Sequence, residues 1–315
     1  MHMPVLHKEH FTGRDFICLQ DFTPDEILYM LKVAKELKEE KKGGTPHPIL
    51  QGKSLAMIFT KSSTRTRVAF EAGMLQLGGH ALFLSDRDIQ IGRGEPIKDT
   101  ARVLSRMVDG IMIRTHSHQD VIELAKYADI PVINGLSDFL HPTQVLADLL
   151  TIQEHKHCLE GLKLTYIGDG NNMAHSLMFA GKMGMHVVIA TPVGYKPDAQ
   201  VVAQAQAQAK QYGGLVEWVE DPLGAAEGAD VLYTDVWASM GQEEEAAIRM
   251  KAFQSYRIDR ETMERAQANA IVMHCLPAHR GEEITEEVLE GPQSVVFDEA
   301  ENRLHAHKAI MALLI

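Results

Sequence analysis

The residues best suited to chemistry lie in the run SSTRTR at positions 62–67, which combines hydroxyl and guanidinium donors. A run rich in β formers at 55–60 precedes it, and apolar residues follow at helical spacing over 68–77, so the pattern predicts a strand, a turn and a helix. The donor side chains of the turn are Ser63, Thr64, Arg65, Thr66 and Arg67. Because a helix N-terminus also presents unpaired N–H groups and a positive dipole, the turn predicts a phosphate site. The alternative is an ordinary serine N-cap with solvated arginines.

Other polar side chains end or follow strands of the same predicted sheet. Arg114 ends one strand, and Gln90 lies in the loop after another. The block HPTQ forms a further strand-to-helix turn, in which His141 can donate to a polarised carbonyl and Gln144 can accept from an amide. Strands that alternate with helices indicate a parallel sheet, and ligands of such sheets bind at the carboxyl ends of the strands. We therefore expect these side chains to share one edge with the phosphate turn, although a capping turn with a solvated histidine is the alternative for HPTQ.

A second set of alternating strands and helices begins near residue 162 and carries the block GDGNN at 168–172. The third glycine of a dinucleotide-binding GxGxxG motif would fall at Met173, so a nicotinamide site is not expected. Asn171 and Asn172 remain at this strand end, where their amides can bind a carboxylate or a carbonyl group.

Two later strands end in the blocks DVWASMG and HCLP. The first offers a carboxylate, a hydroxyl and a backbone amide, from Asp235, Ser239 and Met240. These groups suit a ligand with ammonium and carboxylate ends, although an aspartate that caps a helix is the alternative. In the second block, Cys275 is either a reactive thiol or a plain core cysteine. Arg303 lies just inside the last predicted helix.

Composition bounds the class of protein. At 315 residues the chain favours two domains. The net charge of −12 argues against nucleic acid as a partner, so the phosphate site must be a local basic region of an acidic protein. The chain contains no run of about 18 apolar residues that would span a membrane. Its first residues also lack the apolar core of a signal peptide. Three widely spaced cysteines fit a reducing cytoplasm, and the sixteen histidines form no short metal-ligand pattern, so no metal is expected.

The blocks STRTR, HPTQ, SMG and HCLP, in this order, resemble the aspartate/ornithine carbamoyltransferase family. The resemblance runs from about residue 16 to the end of the chain. STRTR and HPTQ are similar to blocks of the whole family, whereas SMG and HCLP are similar to blocks that mark its ornithine-using members. Aspartate-using members lack this pair, and putrescine-using relatives typically carry an altered SMG block.

The resemblance implies an α/β fold with two doubly wound parallel-sheet domains, joined by helices, and an active site in the cleft between them. A carbamoyl phosphate-binding domain is expected over residues 1–150 and an ornithine-binding domain over 151–299. The C-terminal helix, at about 300–315, is expected to pack back onto the first domain. From the residue pattern, we also predict a strand at 295–298, before this helix.

The implied reaction transfers a carbamoyl group from carbamoyl phosphate to the δ-amine of L-ornithine and gives L-citrulline and phosphate. Arg65, His141 and Cys275 are the implied catalytic residues. The residues implied to bind carbamoyl phosphate are Ser63, Thr64, Arg65, Thr66, Gln90, Arg114, His141, Gln144, Cys275, Leu276 and Arg303. Those implied to bind ornithine are Asn171, Asn172, Asp235, Ser239 and Met240. No cofactor is implied.

The resemblance also implies a cytoplasmic homotrimer, possible further assembly of trimers, and a place in arginine metabolism. Gln90 takes the place of a residue that can reach a neighbouring subunit, although Ile91 stands where a leucine is expected. The alternatives are a carbamoyltransferase for putrescine or N-acetylornithine, and a non-catalytic sensor that keeps the fold.

Overall fold

The computed structural model describes residues 7–238 and 245–315. The chain divides into two compact units, one made of Met1–Leu150 with Glu301–Ile315 and the other of Thr151–Ala300. Each unit is built on one sheet in which every strand pair is parallel. The predicted α/β class with two parallel sheets is therefore confirmed.

The first unit contains a four-stranded sheet in the order β2-β1-β3-β4. Its strands are β1 (Ser54–Phe59), β2 (His80–Ser85), β3 (Gly110–Arg114) and β4 (Val132–Leu136). Its helices are α1 (Pro24–Lys42), α2 (Thr64–Gln76), α3 (Ile97–Leu104), α4 (His118–Tyr127) and α5 (Pro142–Lys156), which runs on into the second unit's residues. The chain leaves β1 toward β2 on one side and later returns to add β3 on the other, so the strand order reverses beside β1. Such reversal points leave a crevice at the carboxyl ends of the strands.

The second unit contains a five-stranded sheet in the order β7-β6-β5-β8-β9. Its strands are β5 (Lys163–Ile167), β6 (His186–Ala190), β7 (Leu215–Val219), β8 (Val231–Thr234) and β9 (Ile271–His274). Its helices are α6 (Asn172–Met178), α7 (Ala199–Gln211), α8 (Pro222–Ala226), α9 (Ala246–Ala252), α10 (Arg260–Arg265) and α11 (Glu286–Leu289). The last helix, α12 (Val296–Leu314), begins in the second unit's residues and ends in the first unit's. Here the strand order reverses between β5 and β8.

Short 3-10 helices at Lys8–His10, Leu19–Asp21, Gln90–Arg93 and Phe179–Met183 complete the elements. The helix predicted over 22–42 is present as α1, and its start has a capping box. Thr23 accepts from the Glu26 N–H, the Glu26 carboxylate accepts from the Thr23 N–H, and Pro24 opens the helix. None of the helices formed by described residues is long and apolar enough to cross a membrane.

The strand predicted over 295–298 is wrong, because Val296 begins α12. The run Val295-Val296-Phe297 has the β-branched and aromatic character of a strand, but a short apolar run does not separate strand from helix. Asp298 and Glu299 lie in the first turn of α12, where carboxylates interact favourably with the helix dipole.

A buried lysine in the first unit links α12 to α2 and to the segment that follows α1. The Lys308 side chain is fully buried, and its ammonium donates to His47 Nε2 at 2.6 Å and to Gln76 Oε1 at 3.2 Å. Burial, followed by the charge of Lys41, lowers the pKa of Lys308 to about 8. Burial and the Lys308 charge also lower the pKa of His47, which leaves its ring as a neutral acceptor.

Raising the pH is expected to stabilise the protein through Lys308. A lysine in the unfolded chain has a pKa of about 10.4, so between pH 8 and pH 10 the unfolded state binds more protons than the folded state. The free energy of unfolding should therefore rise with pH in this window, by on the order of 2 kcal/mol from this group. Thermal unfolding of the wild type and Lys308→Met from pH 7 to pH 10 checks this. The gain should be absent in Lys308→Met and present in the exposed control Lys35→Met.

Candidate active site

The first candidate site begins at the turn between β1 and α2. Ser63 is the N-cap of α2 and its Oγ accepts a hydrogen bond from the Thr66 N–H at 3.2 Å. The Ser63 hydroxyl also donates to Thr66 Oγ1 at 3.1 Å. Thr66 Oγ1 accepts a second hydrogen bond, at 2.6 Å, from Nη2 of Arg303 on α12. The turn is thus an ordered serine cap with a buried arginine bound to it, and the phosphate site at this turn stays a prediction.

Positive charge gathers around His141, which immediately precedes α5. The ring is 5 % exposed. Burial, then the charges of Arg303 and Arg114, hold the pKa of His141 well below its ordinary value. His141 is therefore a neutral imidazole, which can donate an N–H hydrogen bond but carries no charge of its own. We call Thr66, Arg114, His141 and Arg303 the basic cluster.

The basic cluster lies where the strand order reverses in the first unit. Arg114 is the last residue of β3, and its register partner on β1 is Phe59, four residues before Ser63. Arg114 and Arg303 are both buried, at 7 % and 3 % exposed. Buried guanidinium groups are costly unless they are compensated by acceptors. Two of them beside a neutral histidine and a helix N-terminus make a site that favours an anion.

The other residues predicted for this site have different surroundings. Arg65 is half-buried in the first turn of α2, and Thr64 is exposed. Gln144 is fully buried and its Nε2 donates to Asp148 Oδ1 at 2.8 Å. Gln90 is exposed in its 3-10 helix, and within the described residues its side chain forms no hydrogen bond or ion pair. The structure therefore does not bring Gln90 to the basic cluster through any such contact.

A cavity of about 340 Å³ opens beside the same turn. Its lining includes Ser63 and Thr64 from the turn, with Arg67, Phe83 and Arg87 around them. The Arg67 guanidinium lies 3.7 Å from the centroid of the Phe83 ring, a cation–π contact that holds it against β2. Arg67 thus faces β2 and pairs with Glu71 at 2.9 Å on its own helix.

The second candidate site lies at the ends of β5, β8 and β9, where the order of the second sheet reverses. Asp235 is buried and follows β8. Its Oδ2 accepts from Asn171 Nδ2 at 3.1 Å, and its Oδ1 accepts from the Cys275 thiol at 3.1 Å and the Val236 N–H at 2.8 Å. We call Asn171, Asp235 and Cys275 the Asp235 cluster. It is a carboxylate ringed by donors, and it suits a cationic group.

Asn171 has a fixed orientation in this cluster. As the N-cap of α6, its Oδ1 accepts from the N–H groups of Met173 at 2.9 Å and Ala174 at 3.2 Å. Its NH₂ group must therefore be the one that faces Asp235. Tyr166 also contacts the cluster, because its hydroxyl donates to Asn171 Oδ1 at 3.4 Å. Burial, then the charge of Asp235, raises the pKa of Tyr166 well above its ordinary value, so this hydroxyl stays protonated.

The HCLP block is held by a buried histidine. His274 Nδ1 accepts from the Leu276 N–H at 2.9 Å, so the proton of the neutral ring is on Nε2, which donates to Glu283 Oε1 at 2.9 Å. Leu276 adopts φ 55°, a left-handed conformation that is rare for residues with a side chain. The Leu276-Pro277 peptide bond is cis. Sequence reasoning missed Glu283, because nothing in the pair Glu282-Glu283 distinguishes a buried carboxylate from an exposed one.

The remaining predicted residues of this site are placed as follows. Asn172 is the first residue of α6 and is buried. Cys275 is half-buried. Ser239 and Met240 lie outside the described residues. Ligand atoms of Asp235, His274 and Cys275 lie within 4.8 Å of one another, a spacing that could hold a metal ion. Both nitrogens of His274 are already engaged, so this arrangement fits a hydrogen-bonded cluster better than a metal site.

The second glycine of GDGNN is explained by packing. A Cβ atom on Gly170 would lie 2.4 Å from the Tyr195 carbonyl oxygen and 2.5 Å from the Pro197 nitrogen, both of which are backbone atoms. The Gly170 N–H also donates to the Tyr195 carbonyl at 3.0 Å. The turn therefore packs directly on the loop after β6, and its glycine is a requirement of this contact.

Gly170→Ala is expected to destabilise the protein, because neither backbone segment can yield to the added methyl group without moving. Overpacking of this kind costs about 1–3 kcal/mol, which corresponds to a fall of roughly 5 °C in Tm. Differential scanning calorimetry measures it. Gly43→Ala is the control, because a Cβ atom there meets its nearest neighbour, the Glu39 carbonyl oxygen, at 3.4 Å. Equal Tm values for the two variants would contradict the packing argument.

Comparison with known proteins gives consistent matches over nearly the whole chain. Residues 14–154 match the family model described as aspartate/ornithine carbamoyltransferase, carbamoyl-P binding domain. Residues 160–314 match the model described as aspartate/ornithine carbamoyltransferase, Asp/Orn binding domain. The two models together span nearly all of the described residues.

Individual relatives agree with the family models. The ornithine carbamoyltransferase of Symbiobacterium thermophilum is 61% identical over 304 residues, which cover 96% of this chain and 98% of the relative. A Pyrococcus furiosus relative named "Ornithine carbamoyltransferase, anabolic" is 57% identical and covers 96% of each chain. The solved structure of the ornithine carbamoyltransferase from Pyrococcus furiosus matches with a TM-score of 0.94 at 56% identity, over 96% of this chain and 97% of that one. Sequence and fold thus agree that this chain is a member of the aspartate/ornithine carbamoyltransferase family.

Proposed function

We propose that the protein transfers the carbamoyl group of carbamoyl phosphate to the δ-amine of L-ornithine, giving L-citrulline and phosphate. The observation that carries the proposal is the Asp235 cluster, a donor-ringed carboxylate in the unit whose sequence matches the Asp/Orn binding domain. The basic cluster, in the unit that matches the carbamoyl-P binding domain, supplies the complementary anion site.

In this proposal the basic cluster and the α2 turn bind carbamoyl phosphate. The N-terminus of α2, with Ser63, Thr64, Arg65 and Thr66, holds the phosphate group, and Arg114 and Arg303 supply the buried positive charge. His141 and Gln144 bind the carbamoyl group, with the neutral His141 donating to its oxygen. Gln90, Cys275 and Leu276 are the remaining proposed contacts. The exposed Gln90 fits a contact with a neighbouring subunit better than one within its own chain.

Ornithine is held, in the same proposal, by the residues of the second unit. Asp235 pairs with an ammonium group of ornithine, and Asn171 and Asn172 bind its carboxylate. Ser239 and Met240 add further contacts. The Cys275 thiol donates to Asp235 in the free protein. Cys275 is therefore an orienting group for the substrate amine, and no covalent carbamoyl-cysteine is required.

The chemistry needs a neutral δ-amine beside the carbamoyl carbon. The nitrogen lone pair attacks this carbon, the new C–N bond forms, and the carbonyl oxygen becomes an oxyanion. Arg65 and His141 stabilise the oxyanion as preorganised donors. The C–O bond to phosphate then breaks, phosphate leaves with the bonding electrons, and the proton of the attacking nitrogen passes to phosphate directly or through water. The reaction is balanced without a cofactor. The placement of the two substrates in a cleft between the units stays a prediction.

The assembly and the cellular setting are further parts of the proposal. Large apolar side chains are exposed on α2 and β2 of the first unit, namely Val68, Leu75, Leu82 and Phe83. These exposed apolar residues support an assembly in which this surface is covered, and the family resemblance implies that the assembly is a homotrimer. The three free cysteines support a cytoplasmic location. The anabolic name of the Pyrococcus furiosus relative supports a role in arginine biosynthesis.

A panel of amine acceptors tests the proposal. We expect citrulline formation from carbamoyl phosphate with L-ornithine, at a kcat/KM about 10- to 100-fold above that for putrescine or N-acetylornithine, because one missing charged contact costs about 1.5–3 kcal/mol. A preference for either competitor would replace ornithine by that amine and leave the reaction class intact. No turnover with any amine would overturn the proposed function.

A further inference from the structure

One arginine of the second unit lies outside every predicted site and yet contacts three strand ends. Arg249 on α9 is 7 % exposed. Its Nη1 donates to Asp169 Oδ2 at 2.8 Å, in the turn after β5, and to the Trp237 carbonyl at 3.0 Å, after β8. Its guanidinium also lies 5.0 Å from the centroid of the Tyr195 ring, in the loop after β6. A single side chain therefore fixes the mutual positions of these segments.

The two residues hydrogen-bonded to Arg249 Nη1 each lie two residues from a member of the Asp235 cluster. Asp169 precedes Asn171 by two residues, and Trp237 follows Asp235 by two residues. Asn171 and Asp235 are themselves joined by a hydrogen bond of 3.1 Å. The two turns are thus connected twice, once by the Asn171–Asp235 pair that would face the substrate and once by Arg249 behind it.

Glu245 holds the other side of the guanidinium. Its carboxylate accepts from Arg249 Nε at 3.1 Å. The planar guanidinium therefore donates to three acceptors, which are the carboxylates of Asp169 and Glu245 and the carbonyl of Trp237. A guanidinium directs its N–H donors at fixed angles, whereas the ammonium of a lysine is a single point charge. The geometry therefore requires an arginine at this position, and a lysine can satisfy only part of the set.

From these contacts we propose that Arg249 is a positioning residue for the amino-acid substrate, acting through Asp169 and Trp237 on the spacing of Asn171 and Asp235. The inference deepens the proposed function and rests on it. Arg249 touches no reacting atom, and the basic cluster belongs to the other unit. Loss of the Arg249 side chain should thus raise the KM for the amine acceptor and leave the KM for carbamoyl phosphate unchanged. Misplacement of a group by about 1 Å can lower an enzyme's rate by up to about 100-fold. We therefore expect the KM for the amine acceptor to rise by about 10-fold or more.

The charge left behind by an Arg249 substitution gives a second and more specific signature. Burial raises the pKa of Asp169, and Arg249 opposes this shift, while the neighbouring Asp235 charge adds to it. The charged or titratable groups around Asp169 are Arg249, Asp235 and Tyr166, with Glu245 on the far side of the guanidinium. Without Arg249 the Asp169 carboxyl should ionise closer to neutral pH. Its unpaired carboxylate would then disturb the turn more at high pH than at low pH.

The experiment compares Arg249→Gln, Arg249→Lys, Asp169→Asn and the double variant Arg249→Gln/Asp169→Asn with the wild type. Arg260→Gln is the matched control, because Arg260 is an exposed arginine of the same unit that pairs with Glu287. Steady-state KM values for both substrates are measured from pH 6 to pH 9, with Tm for each variant. We expect a KM for ornithine raised about 10-fold or more in Arg249→Gln, a smaller rise in Arg249→Lys, and no change in Arg260→Gln. The KM for carbamoyl phosphate should stay within about two-fold of the wild-type value throughout.

The ratio of the ornithine KM of Arg249→Gln to that of the wild type should increase with pH, and this dependence should vanish in the double variant. Equal rises in both KM values, or a lowered Tm with unchanged KM values, would overturn the proposal and leave Arg249 a purely structural residue. If Arg249→Gln does not fold, Asp169→Asn provides the test, because it keeps the Trp237 and Glu245 contacts and removes one of the two links. If the wild type prefers another amine, the ornithine proposal fails, and the same comparison with that amine still decides the role of Arg249.

Discussion

Arg65→Gln is expected to lower kcat for citrulline formation by about 1,000-fold at saturating concentrations of both substrates. Under the proposed roles, Arg65 stabilises the charge that develops on the carbamoyl oxygen and on the departing phosphate. Removal of one preorganised donor to such an oxyanion costs about 100- to 1,000-fold in kcat. Arg65 also contributes charge at the phosphate, so the upper end of this range applies. The KM for ornithine should change little, because the Asp235 cluster belongs to the other unit.

The fold should survive the Arg65→Gln change. Arg65 is half-buried in the first turn of α2, where a positive side chain is unfavourable to the helix dipole. A neutral glutamine removes that repulsion, so the Tm should stay within a few degrees of the wild-type value. Arg102→Gln is the control for loss of an arginine in the same unit, since Arg102 is 57% exposed and pairs with Asp99 on its own helix. Near-wild-type kcat in Arg65→Gln would refute the catalytic assignment.

The parts of the first site that were predictable from sequence are those set by local pattern. The strand, the polar turn and the helix around Ser63 follow from residue spacing, and their α/β consequence follows from the alternation of elements. The contact between Arg303 and Thr66 does not follow, because 237 residues separate the two in sequence. Only packing of α12 in the first unit brings them together. The neutral state of His141 is likewise a product of burial and of neighbouring arginines.

In the second site, too, local pattern was predictable from the sequence and tertiary contacts were not. Asp235, Asn171 and Cys275 were each identifiable as polar or reactive residues at predicted strand ends, and the parallel sheet brings such ends to one edge. The residues that hold them in place were not identifiable. Glu283 and Arg249 look in the sequence like any surface charge, since burial of a charged side chain depends on a partner from a distant segment. The reason for a glycine at position 170, its close approach to the Tyr195 backbone, was not identifiable either, because it is a tertiary contact.

Asp235→Asn is expected to raise the KM for ornithine by about 100-fold and to leave the KM for carbamoyl phosphate unchanged. A hydrogen bond to a charged group is worth about 1.5–3 kcal/mol, and the substitution removes the charge that pairs with the substrate ammonium. A second effect adds to the first. Asn171 is held by its cap contacts with its NH₂ group toward Asp235 Oδ2, while Oδ1 accepts from the Val236 N–H and the Cys275 thiol. The new amide would therefore place two donors against each other at this contact.

The double variant Asp235→Asn/Asn171→Asp separates the lost charge from the donor clash. An aspartate at position 171 still caps α6 with one oxygen, and its other oxygen accepts from the new amide at position 235, so the hydrogen bond returns with its direction reversed. The donor clash should lower the Tm of Asp235→Asn, and we expect the Tm to recover in the double variant. The ornithine KM should stay raised about 10-fold or more, because the carboxylate then lies at position 171 instead of position 235. Asp298→Asn is the control for an exposed aspartate of the same unit, with its side chain 57% exposed. Full recovery of the ornithine KM in the double variant would show that the hydrogen bond between the two turns matters and that the position of the charge does not.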